Sequence, residues 1–142
     1  MTRTLLGVAS LAWLFLADTA RADALLIIAN PNVEVTIPLP MNQVAAIYLL
    51  RITTWPDGTH VVPVNREATS KVRDDFTTRV LQLDNAELTI YWNEMHFMGK
   101  LPPVVQESQQ AMIAFVRNVP GSIGYISGTE APAAVKVLAY VP

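Results

Sequence analysis

Apolar residues along the chain form two kinds of pattern, and the first kind predicts strands. The run at 24–29, ALLIIA, is continuous and is ended by the turn residues NPN, which predicts a strand buried on both faces. Three shorter apolar runs predict further strands, at 61–64, 123–126 and 135–140. Because Pro63 lacks a backbone donor, we expect it near a sheet edge or at a strand end.

The second pattern, apolar residues spaced three and four apart, predicts four helices. We expect them at 41–51, 70–83, 86–98 and 108–119. Ser70 is a favourable N-cap for the second helix, and Gly99 and Gly121 are typical stops after the third and fourth. The predicted order is β-α-β-α-α-α-β-β. This alternation is typical of an α/β domain with a mostly parallel sheet flanked by helices.

Residues 1–22 have the pattern of an export signal. Arg3 supplies a positive start, 5–17 is almost wholly apolar, and Ala20 and Ala22 are the small residues of a signal-peptidase site. We therefore expect cleavage before Asp23 and a single domain at 23–142. An uncleaved N-terminal anchor is the alternative, although the apolar run is short for crossing a bilayer.

Composition narrows the functional classes. The chain has 142 residues, of which 51% are hydrophobic and 15% charged, so it has room for one domain with a packed core. The absence of cysteine excludes a disulfide framework, a thiolate metal site and a cysteine nucleophile. Small exported domains elsewhere often depend on disulfides, so this composition fits the bacterial periplasm. A formal net charge of -2 excludes a strongly basic nucleic-acid binder.

The most informative stretch for chemistry is 61–76, where a strand ends, a short polar loop follows and a helix begins. Ligands of open α/β sheets bind beyond the carboxyl ends of strands, and a helix start offers free backbone N–H groups to an oxyanion. The candidate oxyanion-binding side chains are Arg66, Thr69, Ser70, Lys71 and Arg73. The alternative is that Ser70 is only an N-cap and that the cations pair at the surface with Glu67, Asp74 and Asp75.

Catalytic and metal-binding patterns are absent from the sequence. His60 and His96 lack spaced partners, so an exposed or hydrogen-bonded histidine is expected rather than a metal ligand. The GSIG stretch at 121–124 lacks the order of a nucleophile elbow. We therefore predict that the protein is not an enzyme and uses no cofactor. Four aromatic residues are expected in the core rather than as a ligand platform: Trp55, Tyr91, Trp92 and Phe97.

Four features, taken in order, resemble one family. They are the apolar strand with NPN at 30–32, the helix at 42–48 followed by TTWPDG at 53–58, the spacing of Arg66, Ser70, Arg73 and Phe76, and PGSIGY at 120–125. Together they resemble the phosphate-type periplasmic substrate-binding proteins of ABC transporters, especially their short, single-lobe relatives. The resemblance implies a single three-layer lobe of the type II periplasmic-binding-protein fold.

The resemblance also implies a phosphate-like ligand, because the family's loop at this helix start contacts phosphate. Carried over by position, the contacts would be Ser70, the backbone N–H groups of Lys71 and Val72, and the guanidinium of Arg73 or Arg66. The family has Gly and Thr where this chain has Lys71 and Val72, so a hydroxyl contact is lost. The first hypothesis is thus a periplasmic binding module for a small oxyanion, partnered by an inner-membrane ABC permease.

The second hypothesis is a lobe that has lost its ligand and docks on another envelope protein. The residues at 71 and 72 favour it, as does a length that allows one lobe where the family has two. It predicts an exposed apolar patch around Trp55 or around Tyr91 and Trp92. A homodimer could rebuild a cleft from two lobes, although the sequence does not indicate one.

Overall fold

The computed structural model describes residues 23–142, so the predicted export signal lies outside the described residues. The strands are β1 (Leu25–Ala29), β2 (Val62–Arg66), β3 (Val104–Gln106), β4 (Ser122–Ser127) and β5 (Lys136–Val141). The helices are α1 (Met41–Tyr48), α2 (Lys71–Phe76), α3 (Asn85–Phe97) and α4 (Gln109–Asn118), and a π-helical segment, Thr77–Leu81, continues α2. No helix in this part of the chain is long and apolar enough to span a membrane.

The five strands form one sheet in the order β3-β2-β4-β1-β5. Strand β2 is parallel to both of its neighbours, whereas β1 is antiparallel to β4 and β5. Four strands therefore run in one direction and β1 runs in the other. The prediction of an α/β domain with a mostly parallel sheet is confirmed.

Helices on both faces of the sheet make three layers. The side chains of β1 point alternately to the two faces, as those of any strand do. Leu25 and Ile27 join the core that contains α1, α2 and the π-helical segment, and Leu26 and Ile28 join the core beneath α4. All five residues of β1 are buried, which confirms the prediction from its continuous apolar run.

Strand β3 is an element that the sequence pattern does not predict. The pattern indicates only a linker at Pro102 and Pro103 before the last helix. The strand has three residues, too few for a periodicity to emerge, and within residues 23–142 it pairs only with β2. Pro63 lies at a strand end as expected, since pairing with β3 begins at Val64, but the edge position is wrong because β2 is an interior strand.

The predicted helix 70–83 is divided in the structure. Ser70 is the N-cap, as predicted, and its Oγ accepts a hydrogen bond from the Arg73 N–H at 3.3 Å. The α-helix ends at Phe76, and Gln82, with φ 55°, ends the π-helical turn that follows. The predicted helix 41–51 also ends early, at Tyr48, because Leu50 takes a left-handed conformation with φ 58°.

The predicted aromatic core is confirmed only in part. Trp55 is buried, and its Nε1 donates to the Gly121 carbonyl at 2.9 Å. Gly121 has φ 77°, and an added Cβ would lie 2.2 Å from the His60 carbonyl oxygen, so this helix stop requires glycine. Phe97, the last residue of α3, is 90% exposed, which contradicts its predicted burial.

Candidate functional site

The carboxyl end of β2 places Arg66 at the edge of the sheet where the other parallel strands also end. The Arg66 backbone N–H donates to the Tyr125 hydroxyl at 3.1 Å and to Asn65 Oδ1 at 3.2 Å. The Arg73 guanidinium donates to the Arg66 carbonyl at 2.8 Å. These bonds tie the strand end, the return strand β4 and the start of α2 into one unit.

Three aromatic side chains pack together next to the linked strand ends and helix start. Phe76 stacks on Tyr125 with ring centroids 4.0 Å apart, and Tyr48 meets Phe76 edge-on at 4.6 Å. The Tyr125 hydroxyl donates to Asn65 Oδ1. Burial raises the pKa of Tyr125 to about 12, so the phenol stays protonated and remains a donor at neutral pH.

Asn65 and Tyr125 are residues of the site that sequence reasoning missed. A signal for each was present in the sequence. Asn65 is a polar residue inside an otherwise apolar strand, directly before Arg66, and Tyr125 ends the PGSIGY stretch. What the sequence does not indicate is that the two side chains meet, since their positions are 60 residues apart.

The helix start at Ser70 retains hydrogen-bond donors. The Ser70 hydroxyl oxygen accepts from Arg73 N–H, and a hydroxyl that accepts one bond still has its own proton to donate. Among residues 23–142, no group accepts from the backbone N–H of Lys71 or Val72, as is usual for the first residues of a helix. Ser70 is nevertheless only 6% exposed, whereas Thr69 beside it is exposed.

The candidate cations already have partners within the chain. Arg66 forms two hydrogen bonds to Glu67, at 3.0 and 3.1 Å, and Lys71 pairs with Asp75 at 3.0 Å. This agrees with the alternative predicted for these two residues. Arg73 differs from that alternative because its acceptor is the Arg66 carbonyl rather than a carboxylate.

Glu67 is the charged group that is hydrogen-bonded to the Arg66 guanidinium. Hydrogen bonds from the Arg66 guanidinium hold the pKa of the Glu67 carboxyl below its ordinary value, with a smaller contribution from the charge of Arg73. The carboxylate is thus ionised at neutral pH and occupies the Arg66 fork that an oxyanion would use.

An open cleft lies next to the helix start. Its volume is about 420 Å³, and the predicted site contributes Arg73 to its wall while α3 contributes Trp92 across from it. The remaining lining residues are Ala68, Asp74, Asn85, Leu88, Thr89 and Asn93. A small ligand could therefore reach Arg73 from solvent without a change in the backbone.

The part of the chain that the structure describes contains no cluster of side chains suited to bind a metal ion. Residues 23–142 contain no group of three or more histidine, aspartate or glutamate side chains placed to hold a metal ion. His60 and His96 are both exposed.

With the fold and the helix start described, the comparison with solved structures shows which proteins the chain is similar to. An ABC-type phosphate transport receptor from Vibrio cholerae is 25% identical over 82% of this chain, with a TM-score of 0.65. A putative phosphate ABC transporter substrate-binding protein with bound phosphate, from Clostridium perfringens, is 26% identical over 82%, with a TM-score of 0.64. PstS from Borrelia burgdorferi matches 73% of the chain at 20% identity, with a TM-score of 0.57.

The chain is therefore a structural relative of the phosphate ABC transporter substrate-binding proteins, as the resemblance implied. It spans less than half the length of these proteins, 45%, 44% and 40% respectively. No family model and no curated protein matches the chain.

Proposed function

We propose that the protein is an exported binding module that takes phosphate or a similar oxyanion at the Ser70 helix start. The observation that carries this proposal is the set of donors in one short segment. The Ser70 hydroxyl proton and the backbone N–H groups of Lys71 and Val72 remain available as donors within residues 23–142. The hydrogen bond from the Arg73 guanidinium to the Arg66 carbonyl links this helix start to the end of β2. The likeness to a phosphate transport receptor and to a phosphate ABC transporter substrate-binding protein with bound phosphate supports the choice of ligand.

Binding would require an exchange of partners. Arg66 would leave Glu67 and turn its fork to the oxyanion, while Lys71 would contribute a positive charge at the cost of its pair with Asp75. Thr69 is exposed and lies next to Ser70, so its hydroxyl is available as a further donor. The family has a threonine hydroxyl where this chain has Val72. The Thr69 hydroxyl compensates in part for its absence.

The test is a thermal-shift titration of the protein from Asp23 to Pro142 after refolding, so that no ligand is carried over. Phosphate, sulfate and chloride are compared at matched ionic strength. At a hundredfold excess over the dissociation constant, binding to the native state stabilises by about 2.7 kcal/mol, a rise in Tm on the order of 10 °C. We expect a rise with phosphate that chloride does not produce and that Arg66→Gln abolishes.

A matched pair of variants separates the ligand contact from the helix cap. Ser70 and Ser108 are both serine N-caps, and each Oγ accepts from the third helical N–H, at 3.3 and 3.0 Å. Both Ser70→Ala and Ser108→Ala should cost about 1 kcal/mol of stability. Only Ser70→Ala should reduce the phosphate response, and equal responses in the two variants would refute the assignment.

A second candidate function is favoured by one observation, namely that Arg66, Lys71 and Arg73 already have acceptors within the chain. In this proposal the lobe binds no anion and acts as a protein-interaction module in the cell envelope. It predicts a stable domain whose Tm does not respond to millimolar phosphate. It is abandoned if phosphate stabilises the protein and Arg66→Gln removes that effect.

The proposed location is the bacterial periplasm, reached by cleavage of 1–22, and the proposed transport partner is an inner-membrane ABC permease. The pattern of the first 22 residues supports the location, and the likeness to phosphate ABC transport proteins supports the partner. Mass spectrometry of the protein purified from the periplasm tests it. The expected product begins at Asp23, and a product that retains 1–22 would indicate an anchored protein instead.

A further inference from the structure

The end of α3 and the strand β3 expose an unusual amount of apolar surface. Five of the eight large apolar residues that are exposed in the described chain lie within 97–105. We call them the edge patch, and their exposed fractions are Phe97 90%, Met98 63%, Leu101 72%, Val104 48% and Val105 48%. The predicted locations of a patch, at Trp55 or at Tyr91 and Trp92, are wrong because these side chains are buried or half-buried.

The edge patch lies where the sheet stops. β3 pairs with β2 on one side, and no strand among the described residues pairs with its other side. Pro102 and Pro103 precede the strand and lack backbone donors, so a long ladder to another chain is disfavoured. A shallow groove of about 180 Å³ runs beside Leu101 and Val104, which leaves a hollow for an apolar side chain. Any partner would therefore bind mainly by side-chain packing.

The size of the edge patch fits a protein interface. The five exposed fractions together correspond to roughly 500 Å² of apolar surface, distributed over both faces of β3 because Val104 and Val105 are successive strand residues. That is near the upper limit for the largest apolar patch of a monomer, about 300–600 Å². A stable interface buries about 800 Å² on each partner, so polar residues around the patch must contribute to it as well.

The charges on either side of β3 indicate which partner fits. Lys100 precedes the strand and Glu107 follows it, both are exposed, and neither forms an ion pair within residues 23–142. If two copies meet around a two-fold axis between Pro103 and Val104, with their β3 edges antiparallel, the Lys100 end of one copy lies at the Glu107 end of the partner subunit. The symmetry repeats this pair, so the edge is complementary to itself in charge.

We propose that the protein forms a two-fold symmetric dimer through the edge patch, with the β3 edges antiparallel and Lys100 of each copy facing Glu107 of the partner subunit. A second copy is the occupant that fits, because the exposed charges at the two ends of β3 are opposite and an antiparallel copy brings each near its complement. The proposal is independent of oxyanion binding, because the edge patch shares no residue with the 66–73 segment.

Sedimentation equilibrium of the protein purified from the periplasm tests the proposal over a wide concentration range. We expect a reversible monomer–dimer equilibrium and a monomer for Phe97→Asp. Tyr140→Asp is the matched control, because Tyr140 is 53% exposed on β5 at the opposite edge of the sheet, and it should leave the dimer intact. A monomer at all concentrations, or a dimer that survives Phe97→Asp, overturns the proposal.

Charge reversal tests the antiparallel arrangement. Lys100→Glu and Glu107→Lys should each weaken the dimer roughly tenfold, because each places like charges together at two symmetric positions. The double variant restores both pairs and should dimerise nearly as well as the unmodified protein. If the double variant is no better than the single variants, Lys100 and Glu107 do not face each other and the proposed arrangement is wrong. These exposed substitutions leave the core untouched, so loss of folding does not obscure the result.

Discussion

The Ser70 helix start and the edge patch leave opposite kinds of groups at the surface. At the helix start, the side chains are polar and the chain supplies most of their partners, such as Glu67 for Arg66 and Asp75 for Lys71. At the edge patch, the side chains are apolar, and Phe97 at 90% exposure has almost no contact with its own chain. A ligand at the first region must compete with existing bonds, whereas a partner at the second only has to exclude water.

This difference affects how binding at each region would be detected. Exchange of partners by the Arg66 and Lys71 side chains yields little net free energy, because Glu67 and Asp75 already satisfy these cations. Burial of apolar area yields about 25 cal/mol per Å² before the costs of association. The edge patch should therefore dominate the behaviour of the protein at high concentration, and anion binding should be measured on dilute samples.

The largest expected effect comes from making the same substitution in a core residue and in the edge patch. Phe76 is fully buried between Tyr48 and Tyr125, so Phe76→Ala should destabilise the protein by about 3–5 kcal/mol. Phe97→Ala should change the free energy of unfolding by less than about 0.5 kcal/mol. Urea denaturation of dilute, monomeric samples measures both. A large loss for Phe97→Ala would show that the ring packs on its own chain and that the edge patch does not exist.

Most of the fold could be predicted because its elements have strong local signals. The buried run of β1, the helical spacing before Tyr48 and the serine N-caps Ser70 and Ser108 all depend on residues close in sequence. The same is true of Gly121, whose positive φ ends a helix. Such features are encoded by a few neighbouring residues, and the structure places them where the pattern indicates.

The parts that could not be predicted depend on contacts between distant residues. β3 exists because Val104 pairs with Val64, and its own three residues are too few to show a periodicity. The link from Tyr125 to Asn65 joins two strands and has no local signature. The exposure of Phe97 could not be predicted because an aromatic residue at a helix end has the same pattern whether or not another element covers it. The sequence therefore predicts the 66–73 segment of the candidate site, but not the residues of other strands that contact it.

An intermediate effect is expected from the hydroxyl that links the aromatic cluster to the helix start. Tyr125→Phe removes a donor to Asn65 and an acceptor of the Arg66 N–H while it keeps the ring stacked on Phe76. Loss of buried hydrogen bonds should cost about 1–2 kcal/mol of stability in urea denaturation. Tyr140→Phe is the control, because the Tyr140 side chain is half-exposed and should show almost no change. Equal effects of the two variants would mean that the Tyr125 hydroxyl does not stabilise the strand end.

The smallest expected effect comes from a substitution of Glu67, the carboxylate that competes with an oxyanion for Arg66 at the helix start. Glu67→Gln removes the carboxylate that occupies the Arg66 fork, so sulfate should bind roughly threefold more tightly at neutral pH. Isothermal titration calorimetry measures the change. Asp57→Asn is a control, because the pKa of the exposed Asp57 carboxyl is also lowered, but by hydrogen bonds from Thr59 rather than from a cation.

The pH dependence of sulfate binding tests the same Glu67–Arg66 pair in the unmodified protein. The pKa of Glu67 is lowered by Arg66, so the pair is complete at neutral pH and is lost only as pH falls through that lowered value. Sulfate keeps its charge in this range, so its affinity should rise as Glu67 is protonated and Arg66 becomes free. In Glu67→Gln the affinity should already be high and should not show this rise. If acid weakens sulfate binding equally in both proteins, Glu67 does not compete for Arg66, and the oxyanion must bind elsewhere.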